Sequence, residues 1–188
     1  VIQPDLGQSV LLICTWISLI FISGVNILFF PLILIIVIIL FFILLYIAPE
    51  KFSYIITRLT SFMDPEKSGS FQSQKAIEAI KQGGLKGQGM GEGILKESVP
   101  EAHTDYIIAV VSEEFGSLVS ILIIGIFLFI ALRIIKKVVN FSNNFYKLSL
   151  TGLISLLIFQ AFIHVGVNAN LLPTTGMTLP FLSYGGSS

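Results

Sequence analysis

The chain has 188 residues, 54% of them hydrophobic, and a mean hydropathy of +0.92, which excludes an ordinary soluble domain and points to a membrane protein. Lys plus Arg and Asp plus Glu number 11 each, so net charge gives no reason to expect nucleic-acid binding. The lone Cys14 rules out an intramolecular disulfide and a cysteine metal site.

Taken in chain order, the apolar run 6–25 is long enough to span a bilayer, whose core needs about 20 helical residues. Pro4 and Asp5 suit its first turn, where a missing N–H is harmless and an acid meets the positive end of the helix dipole. A second span, 27–48, carries no charge, and the short join at Asn26 predicts a tight antiparallel hairpin with the first. Pro31 near its start is tolerated there.

A polar loop follows over 49–104. Within it 71–82 reads as an amphipathic helix, with Phe71, Ala76, Ile77, Ala79 and Ile80 apolar and Gln72, Lys75, Glu78 and Lys81 polar. It is too short to be stable alone, so it is expected to lie on the membrane or on the helix bundle. The glycine-rich stretch 83–93 follows and reads as a flexible loop able to bring backbone amides close to a ligand. A nucleotide loop is a weak reading, because no strand precedes it and no Gly-Lys-Ser/Thr is present. Plain connecting loop is the bland alternative.

A third span is predicted over 105–132, and a fourth over 148–167. The link 133–147 between them holds Arg133, Lys136, Lys137 and Lys147 and no acid, which marks it as cytoplasmic. The 49–104 loop is then extracytoplasmic; its seven basic residues are matched by seven acids and weigh little in orientation. Two prolines and a glycine in 168–181 forbid a regular spanning helix, so that stretch must pack in protein or line a wet cavity. The run from Ser183 to Ser188 is expected to open a further helix on the outer side. A start without methionine and an end just after a Gly-Gly pair read as a piece of a longer protein.

Asp105 stands where the polar loop meets the third span, at a membrane surface where a carboxylate keeps enough water to stay ionised. It is a candidate general base for a lipid-linked substrate; a helix cap or dipole partner is the alternative. Glu113 and Glu114 are predicted about two turns deeper, with Glu113 roughly 12 Å along the axis and about 80° round a continuous helix from Asp105. Intramembrane acids are rare and often functional, while a structural ion pair or hydrogen bond is the competing reading. His103 and His164 are too few and too scattered for a histidine metal cluster. His103 reads as shaping the turn before the helix, and His164 as a hydrogen-bonding group within the bundle.

Several ordered motifs, Gln3-Pro-Asp-Leu-Gly7, the stretch from Phe71-Gln72 to Gly93, Pro100-Glu-Ala-His-Thr-Asp105 through Ser112-Glu-Glu-Phe-Gly116, and Leu172 to Ser188, together resemble the SEDS family, the FtsW, RodA and SpoVE polymerases of bacterial cell-wall synthesis. The resemblance runs nearly end to end. Gly91-Glu-Gly93, the Ala-His-Thr-Asp form and Leu-Leu-Pro-Thr-Thr-Gly-Met-Thr-Leu-Pro are closer to the division-type FtsW branch than to the elongation-type branch. Tyr106 stands where Phe is usual, and Gly89-Met90-Gly91 replaces a common Gly-Pro-Gly.

The resemblance implies an all-α polytopic membrane fold of ten helices, of which this chain carries four full spans, the large outer loop and the start of a last helix. It implies a glycosyltransferase that joins lipid II units on the outer face, with the family's catalytic Asp carried onto Asp105. It also implies partnership with a class B penicillin-binding protein transpeptidase and other divisome proteins, in the bacterial cytoplasmic membrane at the septum. The expected mechanism is inverting transfer, with Asp105 as general base. Candidate substrate contacts are Arg58, Gln72, Lys86, Lys96, Glu97, His103, Ser183, Gly185 and Gly186. No organic cofactor is expected; Arg58, Lys86, Lys96 or a divalent cation, Mg²⁺ or Mn²⁺, is the expected stabiliser of the leaving diphosphate. A lipid II flippase, with Glu113 or Glu114 lining its path, and a structural divisome scaffold are the rival readings.

Overall fold

The computed structural model describes residues 6–26, 29–47, 53, 56–58, 60, 62–63, 70–99 and 102–184. Its elements among these residues are helical: α1 (Leu6–Ile22), α2 (Phe29–Ile47), α3 (Ser70–Gly83), α4 (Leu95–Ser98), α5 (Ile107–Phe115), α6 (Ser117–Val139) and α7 (Asn144–Asn168). The motif 3–5 and the pair Gly185 and Gly186 lie outside the described residues. By length and composition α6 and α7 can each cross a membrane, and α1 and α2 contribute the shorter apolar stretches Gly7–Ile22 and Pro31–Leu40. The chain is an all-α polytopic membrane protein.

The predicted third span is where sequence and structure part most. Instead of one helix over 105–132, the chain forms α5, breaks at Gly116 and restarts as α6. Ser112 Oγ lies 2.7 Å from Ser120 Oγ, and Ser120 Oγ reaches the Ile108 carbonyl at 3.5 Å. In a continuous helix Ile108 and Ser120 would stand roughly 18 Å apart along the axis, so the chain doubles back sharply. Gly116 makes the reversal possible: its φ of 90° with ψ of 161° is a conformation reserved for glycine. A β-carbon there would also run into the Leu85 carbonyl.

The other spans keep their places with shifted ends. α1 stops at Ile22, and its chain turns through Gly24 at φ 84°. α6 runs on to Val139 and takes Arg133, Lys136 and Lys137 into its last turns, where cations suit the negative end of the dipole. The link therefore shrinks to 140–143. Asn143 then caps α7 by accepting the Phe145 N–H at 2.9 Å.

The helices meet through small residues. Among the described residues α1 lies along α7 rather than pairing tightly with α2, unlike the predicted hairpin. Gly7, Leu11 and Thr15 form the buried side of α1, and Leu19 lies against Gly152 of α7. α2 is exposed and apolar along most of its length, as a helix facing lipid or further helices is.

α3 does lie on the bundle, with Ala76 and Ala79 of the predicted apolar face fully buried and Ile80 packed against the same core. Ser73, Ala76, Ala79 and Gly83 are its buried positions, packed on α5, whereas Phe71 is exposed. Small side chains let the two backbones come close, as membrane helix interfaces favour. α5 thus lies among α3, α4, α6 and α7, with Ile108, Ala109, Val110, Ser112 and Glu113 buried.

Candidate functional site

The start of α5 holds the Asp105 region. Three successive carbonyls there each accept a hydrogen bond from the last residue of α7 or from the segment that follows it. Tyr184 N–H donates to His103 O at 3.1 Å, Ser183 Oγ to Thr104 O at 2.7 Å, and Asn168 Nδ2 to Asp105 O at 2.9 Å. Asn168 Oδ1 meanwhile accepts the Ala109 N–H at 3.0 Å. A helix start leaves its first N–H groups without intrahelical partners, and Tyr106, the residue in the cap position, makes no side-chain cap bond. A buried amide from another helix therefore supplies a cap to α5.

Over this turn lies the irregular stretch after α7, which forms no regular helix, in keeping with its prolines and glycine. It is pinned along its length: Gln160 Nε2 donates to Thr178 O at 2.9 Å, and His164 Nδ1 lies 2.9 Å from Met177 O. Gly176 sits next to the half-buried Asp105, such that a β-carbon on it would lie 3.8 Å from Asp105 Oδ2. Arg58 Nη1 donates to Thr174 O, two residues away. Asp105, Gly176 and Arg58 are thereby gathered about one stretch of chain.

The other end of α5 is a separate cluster. Glu113, 1% exposed, accepts Ile94 N–H at Oε1 (2.9 Å) and Leu95 N–H at Oε2 (3.1 Å), which satisfies the first amides of α4. Gly93 permits this approach, since a β-carbon there would sit 2.7 Å from Glu113 Oε2. Glu114 Oε1 pairs with Lys96 Nζ at 3.2 Å, and the same ammonium donates to Gly91 O at 2.8 Å. The glycine-rich loop closes the cluster: Gln88 N–H and Gly89 N–H donate to the carbonyls of Glu113 and Glu114 at 2.9 and 3.0 Å. These are two of the carbonyls that the end of α5 would otherwise leave unpaired.

The predicted site residues therefore fall into two groups. Asp105, His103, Ser183 and Arg58 belong to the start of α5, with His103 exposed and Ser183 turned to Thr104. Lys96, Glu113 and Glu114 belong to its end, and Lys86 is exposed on the loop that folds over that end. A helix of nine residues, about 12 Å long, separates the two. Gln72 is half-buried on α3 and Glu97 exposed on α4. Two amides of the glycine loop, those of Gln88 and Gly89, are bonded to α5, and Glu113 and Glu114 stand before the Gly116 break rather than within the long helix. Asn168 was absent from the sequence-based candidates. Its only trace in the sequence is a polar residue at the end of an apolar run.

Among the described residues no group of three or more His, Cys, Asp or Glu side chains is placed to hold a metal ion. A carboxylate at a helix start, with an arginine on the adjoining strand of chain, suits proton abstraction beside an anionic leaving group.

The sequence model of the FtsW/RodA/SpoVE cell cycle proteins matches residues 1–188. The chain belongs to this family. Relatives with which FtsW/RodA/SpoVE membership can be compared include a probable peptidoglycan glycosyltransferase FtsW of Caulobacter vibrioides, 38% identical over 187 residues, covering 100% of this chain and 47% of that protein. One of the same description from Coxiella burnetii is 38% identical over 195 residues, covering 100% of this chain and 51% of that protein. The chain thus spans about half the length of the curated relatives it matches. A solved structure described as "Structural coordination of polymerization and crosslinking by a peptidoglycan synthase complex" contains a chain of similar fold, with TM-score 0.70 and 24% identity, over 98% of this chain and 51% of that one. At that identity the likeness concerns the fold alone.

Proposed function

We propose that the full-length protein is a peptidoglycan glycosyltransferase that polymerises lipid II at the outer face of the bacterial cytoplasmic membrane during septal wall synthesis. The observation that carries this reading is the position of Asp105 at the start of α5, beside the irregular 173–179 stretch, in a chain of this family. Asp105 takes the proton of the sugar 4-hydroxyl on the acceptor. The freed oxygen attacks the anomeric carbon of the donor, whose bond to the lipid diphosphate breaks with inversion, and the diphosphate leaves with the electron pair. General base catalysis contributes about 10²- to 10⁴-fold, and positioning and charge stabilisation supply the rest.

Arg58 is the side chain we assign to the leaving diphosphate. Its contact with Thr174, two residues from Gly176, supports it over Lys96, which is paired with Glu114, and over Lys86 on the loop at the other end of α5. A divalent cation, Mg²⁺ or Mn²⁺, would arrive on the phosphate oxygens of the substrate. A class B penicillin-binding protein and other divisome proteins are the partners this reading names. The bonding of Glu113 to two backbone amides and the pairing of Glu114 with Lys96 speak against the flippase alternative, in which Glu113 or Glu114 lines the path.

The test is lipid II polymerisation by the reconstituted full-length protein with its transpeptidase partner. Asp105→Asn should lower the rate about 10²- to 10⁴-fold while the protein stays folded. A wild-type rate from that variant would overturn the assignment.

A further inference from the structure

The carbonyls of His103, Thr104 and Asp105 are all held by residues 168–184, and two of the three bonds come from side chains. Both side chains are fully engaged in ways that fix their orientation. Asn168, 1% exposed, donates through Nδ2 to Asp105 O and to His164 O (2.8 Å), while its Oδ1 accepts from Ala109 N–H. Exchanging its oxygen and nitrogen would set a donor against a donor and an acceptor against two acceptors, so only this orientation satisfies all three partners. Ser183 Oγ accepts Leu179 N–H at 2.8 Å and donates to Thr104 O, so its hydroxyl has one direction as well. Asn168 at the end of α7 and Ser183 beyond Leu179 thus hold the backbone around Asp105 at the two ends of the segment whose Gly176 lies against the Asp105 carboxylate.

We propose that Asn168 and Ser183 are positioning residues for the Asp105 carboxylate: they fix its backbone in register with the 173–179 stretch, and so set where its oxygens stand relative to the sugar hydroxyl. This rests on the reading of Asp105 as the general base. It gives Ser183 a task other than contact with substrate, and gives Asn168 a task that no spacing pattern reveals. A displacement of about 1 Å in a catalytic group costs on the order of 10²-fold in rate, so loss of either side chain acts on turnover while substrate contacts elsewhere are kept.

The experiment is a double-mutant cycle in the reconstituted full-length protein with its partner, measuring kcat and KM for lipid II together with thermal unfolding. Asn168→Leu and Ser183→Ala are each made alone and in an Asp105→Glu background, where the carboxylate is already displaced by one methylene. We expect each to lower kcat about 10- to 100-fold with KM changed less than about 2-fold, and to cost less than about 3-fold in the Asp105→Glu background. Undiminished losses in that background would show a support role independent of the carboxylate and overturn the proposal, as would wild-type rates in both single variants. If Asn168→Leu does not fold, Ser183→Ala, which removes only a hydroxyl, decides by the same criteria. A wild-type rate for Asp105→Asn defeats the base assignment itself, whereas an inactive Asp105→Asn beside fully active Asn168→Leu and Ser183→Ala defeats the positioning role alone.

Discussion

Glu113 and Asn168 perform matching tasks at the two ends of one short helix. Glu113 lends its carboxylate to two amides of the preceding loop, and Asn168 lends its carboxamide to the first turn of α5 and the carbonyl of Asp105. Changing Glu113→Gln keeps one acceptor but points an NH₂ group at a backbone N–H, stranding a buried donor. It should destabilise the folded full-length protein by about 1–3 kcal/mol, read as a lower melting temperature in detergent. An unchanged melting temperature would mean that Glu113 does not hold the loop. Asp105 was legible in the sequence because it marks a change from polar to apolar chain, a local signal. Asn168 was not, because its partners stand 59 and 63 residues away and nothing near it repeats or alternates. The same holds for Lys96, whose charge is visible but whose pairing with Glu114 depends on how the glycine loop folds back.

At the level of elements, the break at Gly116 separates a correct reading of composition from a wrong reading of continuity. Hydropathy sums over a window, and the windows over α5 and α6 join without a gap, so a single span was the natural expectation. The one residue that divides them, Gly116, follows the polar Ser112-Glu113-Glu114, but nothing in that pattern by itself announces a reversal of the chain. Its backbone angles and the nearby Leu85 carbonyl make the difference. Gly116→Ala is therefore expected to cost about 3 kcal/mol or more and to reduce the yield of folded protein. Gly125→Ala, in the open middle of α6 with nothing within 4 Å of the added carbon, should be neutral or stabilise by up to about 1 kcal/mol. Equal effects from the two would contradict the break. α3 teaches a related lesson: periodicity located the helix to within a residue or two and put Ala76 and Ala79 on the buried face, but it included Phe71, which is exposed, and missed Ser73 and Gly83, which close backbone approach selects.

For the whole molecule, composition delivered the class, since it follows from the transfer of long apolar stretches into lipid, and two of the described helices, α6 and α7, are long and apolar enough to cross a membrane. Composition said less about packing: among the described residues α1 pairs with α7 across more than a hundred residues, not with the adjacent α2. Orientation is open to direct measurement. In a Cys14→Ser background, a thiol at the exposed Met90 (M90C) should react with a membrane-impermeant maleimide added outside intact cells. One at the exposed Ser142 (S142C), in the 140–143 link, should react only after permeabilisation. The opposite labelling pattern would invert the topology and remove Asp105 from the outer face.

The three bonds to the 103–105 carbonyls also set an order of events during synthesis. Their donors lie 63 to 81 residues further along the chain, so at a translation rate of roughly 5–20 residues per second α5 waits some seconds without them. Throughout that interval the Glu113 end is already complete, because the loop that holds it has been made. A newborn chain thus keeps α5 anchored at one end while the end bearing Asp105 is unfinished, and the arrangement around Asp105 comes into being only as residues 168–184 fold down. A protein assembled in this sequence cannot hold Asp105 in its final place before residues 168–184 have been made and inserted.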